Sequence, residues 1–548
     1  MKPVRFKISG KEIEARPNLV DQVVNFFSPS SGRRRMADRI AVAAVGGGYT
    51  GAKKTRKRTK SWTTSGGDAD SDILPDLPSL RDRSRDLIRN EPIATGACGT
   101  MVTNVIGTGL RLKPAIDYEY LGLTEDEASQ REKEIKREWS LWAHSTYCDV
   151  ERTQPFNELQ ALAFRQTFEN GDVFALLPKV ERKDGFPYQL AVQLIEADRV
   201  CNNNSKRDTE TLSGGIEKDK NGAPKAYHVL KRHPGATISG YKKEWYPPIP
   251  AFGINTGRRN MIHVFRKLRP NQSRGVPELA PIIETLKQLS KLTEAELDAA
   301  VGSALITYFI KSTTGEAPDW NQFLQDNNAA NRDVSDIDLD SSSVVGLLPD
   351  EEVQFNDPNR PNGKFDPFWL SCLRQIGMAI EIPFEVLIKH FSSSYSASRA
   401  AMLEAWRMFS GRRKWFAARF NQLIYETFFD EMVALGRFYA PGYFSDVMTR
   451  KAWTGSAWIG DPRGMINEKE EIEAASKRIA EGVSTIEEEI EQLTGGDFDD
   501  KHRKRAREHQ KRLDAGLVES KKDIETIKAA LKQSVQSIIE ERQNHEAD

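Results

Sequence analysis

A glycine-rich stretch near the start of the chain has the spacing of a phosphate-binding loop. Gly46 and Gly51 are separated by four residues, as in loops whose backbone amides surround a nucleotide. Such loops need a Lys directly after the second Gly to reach the phosphates, and Ala52 stands there instead. The sequence therefore does not predict a nucleotide site here.

Two further patterns contain metal-ligand residue types without a full ligand set. Residues 336–340 read DIDLD, like the start of a calcium loop, but Ser341 and Leu347 occupy the positions that need Gly and Glu. His228 and His233 are five residues apart, with no third ligand type nearby. We predict no metal site and no cofactor.

The motifs of common hydrolases are also missing from the sequence. It contains no GxSxG or HExxH motif, its eight histidines are scattered, and its four cysteines form no CxxC pair. An enzyme would need convergent acids or a nucleophile beside a base. We predict no catalytic residue, and a nuclease built from dispersed acids stays open as an alternative.

Charge is balanced over the chain and segregated along it. Lys plus Arg and Asp plus Glu both number 79. Residues 1–60 hold fifteen basic and four acidic residues, 311–358 hold two and eleven, and 466–548 hold fifteen and twenty-one. Such segregation indicates surfaces with different partners.

The basic N-terminal region is rich in glycine and charge, so we expect residues 1–78 to form a disordered arm. Its densest cluster suits weak, sequence-independent contact with nucleic acid phosphates. The residues of this predicted contact are Lys53, Lys54, Arg56, Lys57, Arg58 and Lys60.

One long helix must organise the rest of the chain. No proline occurs between Arg399 and Tyr439, which allows a helix of roughly 55 Å. Arg413 is the one break in its apolar stripe, and Arg412 is expected on the outer faces. The stripe has spacings of three and four residues and consists of Met402, Trp406, Phe409, Phe416, Phe420, Leu423 and Thr427.

Other segments predict further helices and some strands, and hence an α+β fold that is mainly α. Pro92 should split a helical stretch that starts near Ser79, and Thr124 with Glu127 forms a capping box. Strands are expected at 173–180, 188–197 and 225–233. No apolar run approaches the ~20 residues that span a bilayer.

Five stretches, in order along the chain, carry a family pattern: RDLIRNEPIATGACGTMVTNVIGTGLRL (85–112), FENGDVFALL (168–177), RPNQSRGVPELAPII (269–283), LLPDEEVQFNDPNRP (347–361) and YSASRAAMLEAW (395–406). Together they resemble the portal proteins of tailed phages of the lambda type. The serine run after Tyr395 departs from that pattern, because Ala397 follows Ser396 where a second serine is usual.

The resemblance implies a ring, usually of twelve copies, at one capsid vertex, through whose channel double-stranded DNA passes. It also implies a portal fold with named regions. These are a wing at 79–284, a first stem helix at 285–310, an acidic α/β clip at 311–362, a second stem helix at 363–382, a tunnel loop at 383–397, a spine helix and wing return at 398–460, and a helical crown at 461–548.

Two sites follow from the resemblance. The tunnel loop is expected to line the narrowest part of the channel and touch DNA, through Lys389, His390, Phe391, Ser392, Ser393, Ser394, Tyr395 and Ser396. The clip is expected to dock the packaging motor, through Asp336, Asp338, Asp340, Asp350, Glu351 and Glu352.

The implied partners are further copies of the chain, the terminase motor, head-completion or adaptor proteins, and the major capsid and scaffold proteins. The implied location is the virion, after assembly in the host cytoplasm, with no membrane partner. Two alternatives stay open: a nucleic-acid-processing enzyme with a basic arm, and a capsid scaffold or adaptor without a channel.

Overall fold

The computed structural model describes most of the chain, which divides into two compact units, Met1–Asp68 and Ala69–Asp548. The described residues are 4–8, 11–15, 19–45, 52, 57–64, 66–237, 243–304, 308–311, 344–347, 365–391, 394–465, 467–517 and 532–533.

The first unit contains regular structure in its described elements, where the sequence predicted a disordered arm. Strands β1 (Val4–Ile8) and β2 (Lys11–Ala15) pair antiparallel, and helices α1 (Leu19–Phe27) and α2 (Pro29–Val45) follow. The apolar residues that alternate with charged ones in VRFKI are a strand pattern. The high charge of the region concealed that pattern.

The second unit begins ten residues earlier than the wing was predicted to begin. Helix α3 (Ala69–Ile73) belongs to it. The Asp70 carboxylate accepts hydrogen bonds from the Ser273 backbone N–H at 2.8 Å and from Lys218 Nζ at 3.1 Å. These contacts hold a segment that the sequence assigned to the arm.

Helices dominate the second unit. The helices up to the strands are α4 (Leu77–Asn90), α5 (Pro92–Val105), α6 (Tyr118–Leu121), α7 (Glu125–Ala143) and α8 (Phe156–Asn170). Those after the strands are α9 (Ile283–Ala304), α10 (Phe365–Ala379), α11 (Phe384–Leu387), α12 (Tyr395–Phe416), α13 (Gln422–Ala434), α14 (Val447–Trp453), α15 (Glu468–Ala480), α16 (Ile486–Thr494) and α17 (Phe498–Asp514). Pro92 separates α4 from α5, as predicted.

The strands of the second unit form small, separate sheets. Their bounds are β3 (Arg111–Pro114), β4 (Asp172–Leu176), β5 (Gln193–Ile195), β6 (Leu212–Ser213), β7 (Ile216–Lys218), β8 (Pro224–Tyr227), β9 (Ile249–Pro250), β10 (Met261–Phe265), β11 (Tyr308–Lys311), β12 (Val344–Leu347) and β13 (Ser456–Ile459). Strand order is β10-β4-β5 in one sheet, β6-β7-β8-β9 in a second, β13-β3 in a third and β11-β12 in a fourth.

The predicted first stem helix ends earlier than expected. Helix α9 stops at Ala304, and strand β11 follows and pairs parallel with strand β12. The end of the predicted stem, up to residue 310, is therefore partly a strand. The aromatic and β-branched residues in YFIK favour this extended conformation.

The predicted spine is one helical rod with a π-helical turn inside it. The rod runs from Tyr395 through the π-turn Ala417–Asn421 to Ala434. Phe409, Phe416 and Phe420 are buried, which confirms that part of the predicted stripe.

An aromatic cluster fixes the rod against α7 and α8. The Trp139 ring lies 5.2 Å from the Phe156 ring and 5.2 Å from the Phe428 ring, both edge to face. Trp142 Nε1 donates to the Leu190 carbonyl at 2.9 Å. Paired aromatic rings with a satisfied indole N–H make a stable core of one geometry.

Candidate functional site: the 383–397 loop and its supports

The candidate loop leaves α10 through a tight reversal. The Ile382 N–H donates to the Gly377 carbonyl at 3.0 Å, and Glu381 takes a positive φ of 62°. A Cβ at Gly377 would lie 2.7 Å from the Ile382 carbonyl oxygen, so the reversal needs glycine there. Ile380 and Ile382 are buried on either side of Glu381 and fix the start of the loop.

The loop contains a helix, and the rod begins inside the predicted loop. Pro383 precedes the short helix α11, and Ser394 Oγ accepts a hydrogen bond from the Ala397 N–H at 3.4 Å. Because of this Ser cap, the rod starts at Tyr395. The sequence predicted a later start, after Ala397. The connecting segment is therefore shorter than the predicted loop.

A buried arginine supports the base of this loop. Arg412 donates to Glu278 through Nη1 at 2.7 Å and through Nη2 at 3.3 Å, and to Glu381 at 3.3 Å. Arg266 donates to the same Glu278 at 3.1 Å. Burial alone would raise the pKa of Glu278, but the guanidiniums of Arg412 and Arg266 hold that pKa below its usual value.

An open groove of about 980 Å³ lies between α10, α11 and the rod. Arg374 lies over the Phe384 ring, 5.0 Å from its centre, and Arg412 lines the groove floor. Met378, also on the lining, is 83% exposed. The groove has an apolar surface with charged groups among its lining residues.

The described residues of the predicted site, 389–391 and 394–396, present their side chains to solvent, whereas Leu387 earlier in the loop is buried. Lys389, His390, Ser394 and Ser396 are exposed, whereas Ser392 and Ser393 lie outside the described residues. Phe391 and Tyr395 are 48% and 50% exposed. The alternative, that these two rings only pin the loop to the rod, would predict deeper burial within one chain.

The other predicted site residues are less well covered. Three basic residues of the arm, Lys57, Arg58 and Lys60, are exposed in a turn. The remaining predicted residues lie outside the described part of the chain, namely Lys53, Lys54, Arg56, Asp336, Asp338, Asp340, Asp350, Glu351 and Glu352.

Two of the stretches that carried the family resemblance meet at one buried carboxylate, Asp172, which has no exposed surface. Arg274 donates to it at 2.7 Å, Arg81 at 2.8 Å, His263 Nε2 lies 3.1 Å away, and the Gly275 N–H donates at 3.1 Å. We call this group the Asp172 centre. It joins α4, β4, β10 and the segment after β10.

Burial and charge act in opposite directions in the Asp172 centre. Burial alone would raise the pKa of Asp172, but Arg274 and Arg81 lower that pKa far below its usual value. Burial lowers the pKa of His263, and the nearby Asp172 only partly offsets this. The centre therefore holds an ionised carboxylate beside a histidine that resists protonation.

Glycines let the backbones of two family stretches approach each other at this centre. Gly171 has a positive φ of 87°, and a Cβ on Gly275 would collide with the Gly171 carbonyl. Asp198, next to the centre, pairs with Arg81 at 3.2 Å and with Arg85. The arrangement is enclosed and fully paired, which suits a structural role.

Ion pairs attach the C-terminal helices to the body of the second unit. Lys113 on β3 pairs with Glu491 at 2.6 Å and with Glu487. Lys136 on α7 pairs with Asp497 at 3.1 Å and with Asp500 at 2.5 Å. We call these pairs the C-terminal contacts.

Sequence reasoning missed the two buried arginine sites and misread one residue. Arg412 was placed on the outer faces of the rod, yet it is buried. Arg413, the break in the stripe, donates to the Asn104 and Val105 carbonyls at 3.0 Å each. The available signals were Arg413 itself and the charged residues next to glycine in NGD (170–172) and SRG (273–275), which are unusual in apolar stretches.

The fold and these sites define a structural protein built around one helical rod. A family model described as phage portal protein, lambda family, matches residues 55–413, which is more than half of the chain. The chain therefore belongs to the lambda family of phage portal proteins. Its function is that of a portal, a virion component rather than an enzyme.

Curated relatives agree with this assignment. The chain is 26% identical over 479 residues to portal protein B of Escherichia phage lambda, which covers 84% of this chain and 88% of that protein. It is 25% identical over 506 residues to the portal protein of Escherichia phage N15, with 89% and 93% covered. No helix of the described residues is long and apolar enough to cross a membrane.

Two solved structures are also similar to the chain over part of its length. One is the neck of an empty GTA particle, at 13% identity and a TM-score of 0.38, covering 76% of this chain and 92% of that one. The other is the neck of a native GTA particle computed with C12 symmetry, at 12% identity and a TM-score of 0.36, with 76% and 92% covered.

Proposed function

We propose that residues 383–397 line the narrowest part of the portal channel and touch double-stranded DNA in transit. One observation carries this proposal: exposed loop side chains project from a base fixed by the buried Arg412 ion pairs. A loop that contacts a moving polymer needs a rigid support and side chains that reach solvent. The loop combines both properties.

The chemistry of the loop suits sliding contact. Serine hydroxyls donate single hydrogen bonds to phosphates, and Lys389 adds one positive charge per copy. Many phosphate contacts would hold DNA in place, because each adds to affinity. One lysine with a few hydroxyls therefore allows the DNA to move.

The closed ring requires contact surfaces on each copy. Helices α9 and α10 are the proposed stem helices, and both expose large apolar side chains. Leu297 and Val301 on α9 are 63% and 55% exposed, and Phe368 on α10 is 57% exposed. We propose that these faces bury against neighbouring copies, in a heterologous contact that closes after about twelve copies.

The acidic segment 311–362 is proposed as the clip, which docks the terminase motor and then the head-completion proteins. Its excess of carboxylates would repel phosphates, so it faces protein partners rather than gripping DNA. The segment after residue 461 is proposed as the crown, and residues 79–284 as the wing. Capsid and scaffold proteins are the other proposed partners.

The loop proposal is tested by removing its exposed rings. The variant Phe391→Ser with Tyr395→Ser should assemble rings and fill heads normally, yet lose at least half of the genomes retained by wild-type heads. The matched control, Tyr439→Ser with Phe444→Ser, removes two rings elsewhere that are 70% and 66% exposed. Genome content per head is measured by DNA quantification and electron microscopy.

Two results would count against the proposal. Normal genome retention in the loop variant would show that the rings do not touch DNA. Equal losses in the loop variant and the control would show a general defect. Monomers alone in native mass spectrometry of the wild-type chain would contradict the ring itself.

A further inference from the structure

Helix α17 carries a dense positive charge within an acidic C-terminal region. Between positions 501 and 512 it has seven Lys or Arg residues and a single acidic residue, Glu508. None of its residues is buried. Such a helix gains nothing from a core, so its charge needs another explanation.

Four of these basic residues share one face. The face consists of two adjacent pairs, Lys504 with Arg505 and Lys511 with Arg512. The second pair lies seven residues, or about two helical turns, after the first, so both pairs are on the same side of the helix. All four are exposed. We call them the α17 face, and it spans roughly 12 Å along the helix axis.

The start of α17 is attached to the body, so the face is held in position. Asp497 and Asp500 pair with Lys136, and Asp497 also caps the helix by accepting from the Asp500 N–H at 3.1 Å. Arg503 pairs with Asp500 at 2.6 Å. The carboxylates of Asp497 and Asp500 are therefore already paired, and the later turns carry more positive than negative charge.

The acids of the preceding helix are also committed to other partners. Glu487 and Glu491 on α16 pair with Lys113, and Glu489 pairs with Arg478 at 2.6 Å. Glu488 completes the capping box of α16. Among the described residues, no carboxylate lies within ion-pair distance of the α17 face.

Like charges three and four residues apart destabilise a helix. Lys504 and Lys511 of the face both have these spacings to Arg507, a basic residue of the helix outside the face, and Glu508 is the single acid among them. Binding of an external polyanion would reduce this repulsion. Double-stranded DNA fits the length of the face, because phosphates along one strand are about 3.4 Å apart and the face therefore spans three to four of them.

We propose that the α17 face binds the phosphate backbone of double-stranded DNA without sequence preference, at a site separate from the 383–397 loop and from the basic cluster 53–60. The identity of the polyanion rests on the portal function. The face contains no large apolar side chain, whereas a protein interface usually has an apolar or aromatic centre. This favours DNA over an acidic protein.

The test compares two full-length variants that each lose four positive charges. In one, Lys504, Arg505, Lys511 and Arg512 become Gln, which is a good helix former. In the control, four exposed residues outside the face become Gln, namely Lys133, Arg137, Lys469 and Lys477. Binding of short labelled duplexes of two unrelated sequences is measured by fluorescence anisotropy between about 50 and 200 mM salt.

We expect the face variant to bind both duplexes more than about a hundredfold more weakly at the lower salt, and its log–log salt slope to fall by about 3. The control should keep both the affinity and the slope. Equal affinity of face variant and wild type would overturn the proposal. So would loss of binding to an acidic protein with DNA affinity unchanged, because the face would then be a protein interface.

Native mass spectrometry accompanies these measurements. If the fourfold variant does not assemble, Lys504→Gln with Lys511→Gln is measured instead, and about half of the slope change is expected. If only the α17 inference is wrong, the wild-type chain still forms rings and genome-filled heads. If the portal function is wrong, the wild-type chain itself forms no rings.

Discussion

The Asp172 centre and the C-terminal contacts both join distant parts of the chain through ion pairs, but their environments are opposite. Asp172 is fully buried among Arg81, Arg274 and His263. The pairs of Lys113 and Lys136 lie where both partners keep part of their surface in water. Water screens the second set and is excluded from the first.

This difference decides what each set can do. A buried ion pair adds little net stability when intact, but removal of one partner leaves an uncompensated charge. A surface pair can open and reform at small cost. The Asp172 centre therefore specifies one arrangement of the β4, β10 and α4 region, whereas the C-terminal contacts hold helices that can still adjust.

The largest expected effect is that of Asp172→Ala. It leaves two buried guanidiniums without their carboxylate, so the free energy of unfolding should fall by about 3–5 kcal/mol. Chemical denaturation of the unassembled chain, followed by tryptophan fluorescence, measures this. The control Asp82→Ala removes a mostly exposed acid on α4 and should change less than about 0.5 kcal/mol. If Asp172→Ala and Asp82→Ala lowered the free energy of unfolding by similar amounts, the buried pairs would contribute no more than an exposed acid, and the contrast with the C-terminal contacts would be wrong.

A pH effect of intermediate size should come from His263. Its pKa is lowered in the folded state, so between about pH 6.5 and the lower folded pKa the unfolded chain binds more protons. Stability should therefore fall by about 1 kcal/mol from pH 7 to pH 5.5. His263→Gln should remove this slope, and exposed His144→Gln should keep it. An unchanged slope in His263→Gln would contradict the assignment.

The smallest effect is expected at the C-terminal contacts. Lys136→Met removes two partly exposed pairs and should cost less than about 1 kcal/mol. The readout is faster limited proteolysis within α17, and high salt should abolish the difference from wild type. Lys133→Met on the same helix serves as the control. A loss as large as that of Asp172→Ala would mean that these contacts behave as buried pairs.

The elements with strong local signals could be predicted from sequence. The capping box of Thr124 and Glu127 forms as expected, and α8 ends at Asn170, just before Gly171. The apolar stripe of the rod is buried at Phe409 and Phe416. These signals depend on residues within a few positions of one another, so one sequence contains all the necessary information.

The candidate sites could be predicted only in part, because they depend on contacts between distant residues. Arg412 faces inward because Glu278, 134 positions away, lies beside it. Asp172 meets Arg274 across 102 positions. Helical periodicity gives the face on which a residue lies, but it does not say which face is covered by a charged partner. The family resemblance predicted the position of the 383–397 loop, whereas the Arg412 ion pairs that support its base became visible only in the tertiary structure.

The π-turn at Ala417–Asn421 has a consequence for chain length in this family. A π-turn contains one residue more than an α-turn. A relative shorter by one residue here would close the π-turn into a continuous α-helix, and the helix faces before and after the turn would keep their directions. A single-residue deletion elsewhere in the rod, with the π-turn kept, would instead rotate everything before it by about 100° relative to everything after it. Arg412 would then face away from Glu278, and Arg413 away from the Asn104 and Val105 carbonyls. We therefore expect relatives to lose a residue inside the π-turn without losing these contacts, and to keep the length of the rest of the rod.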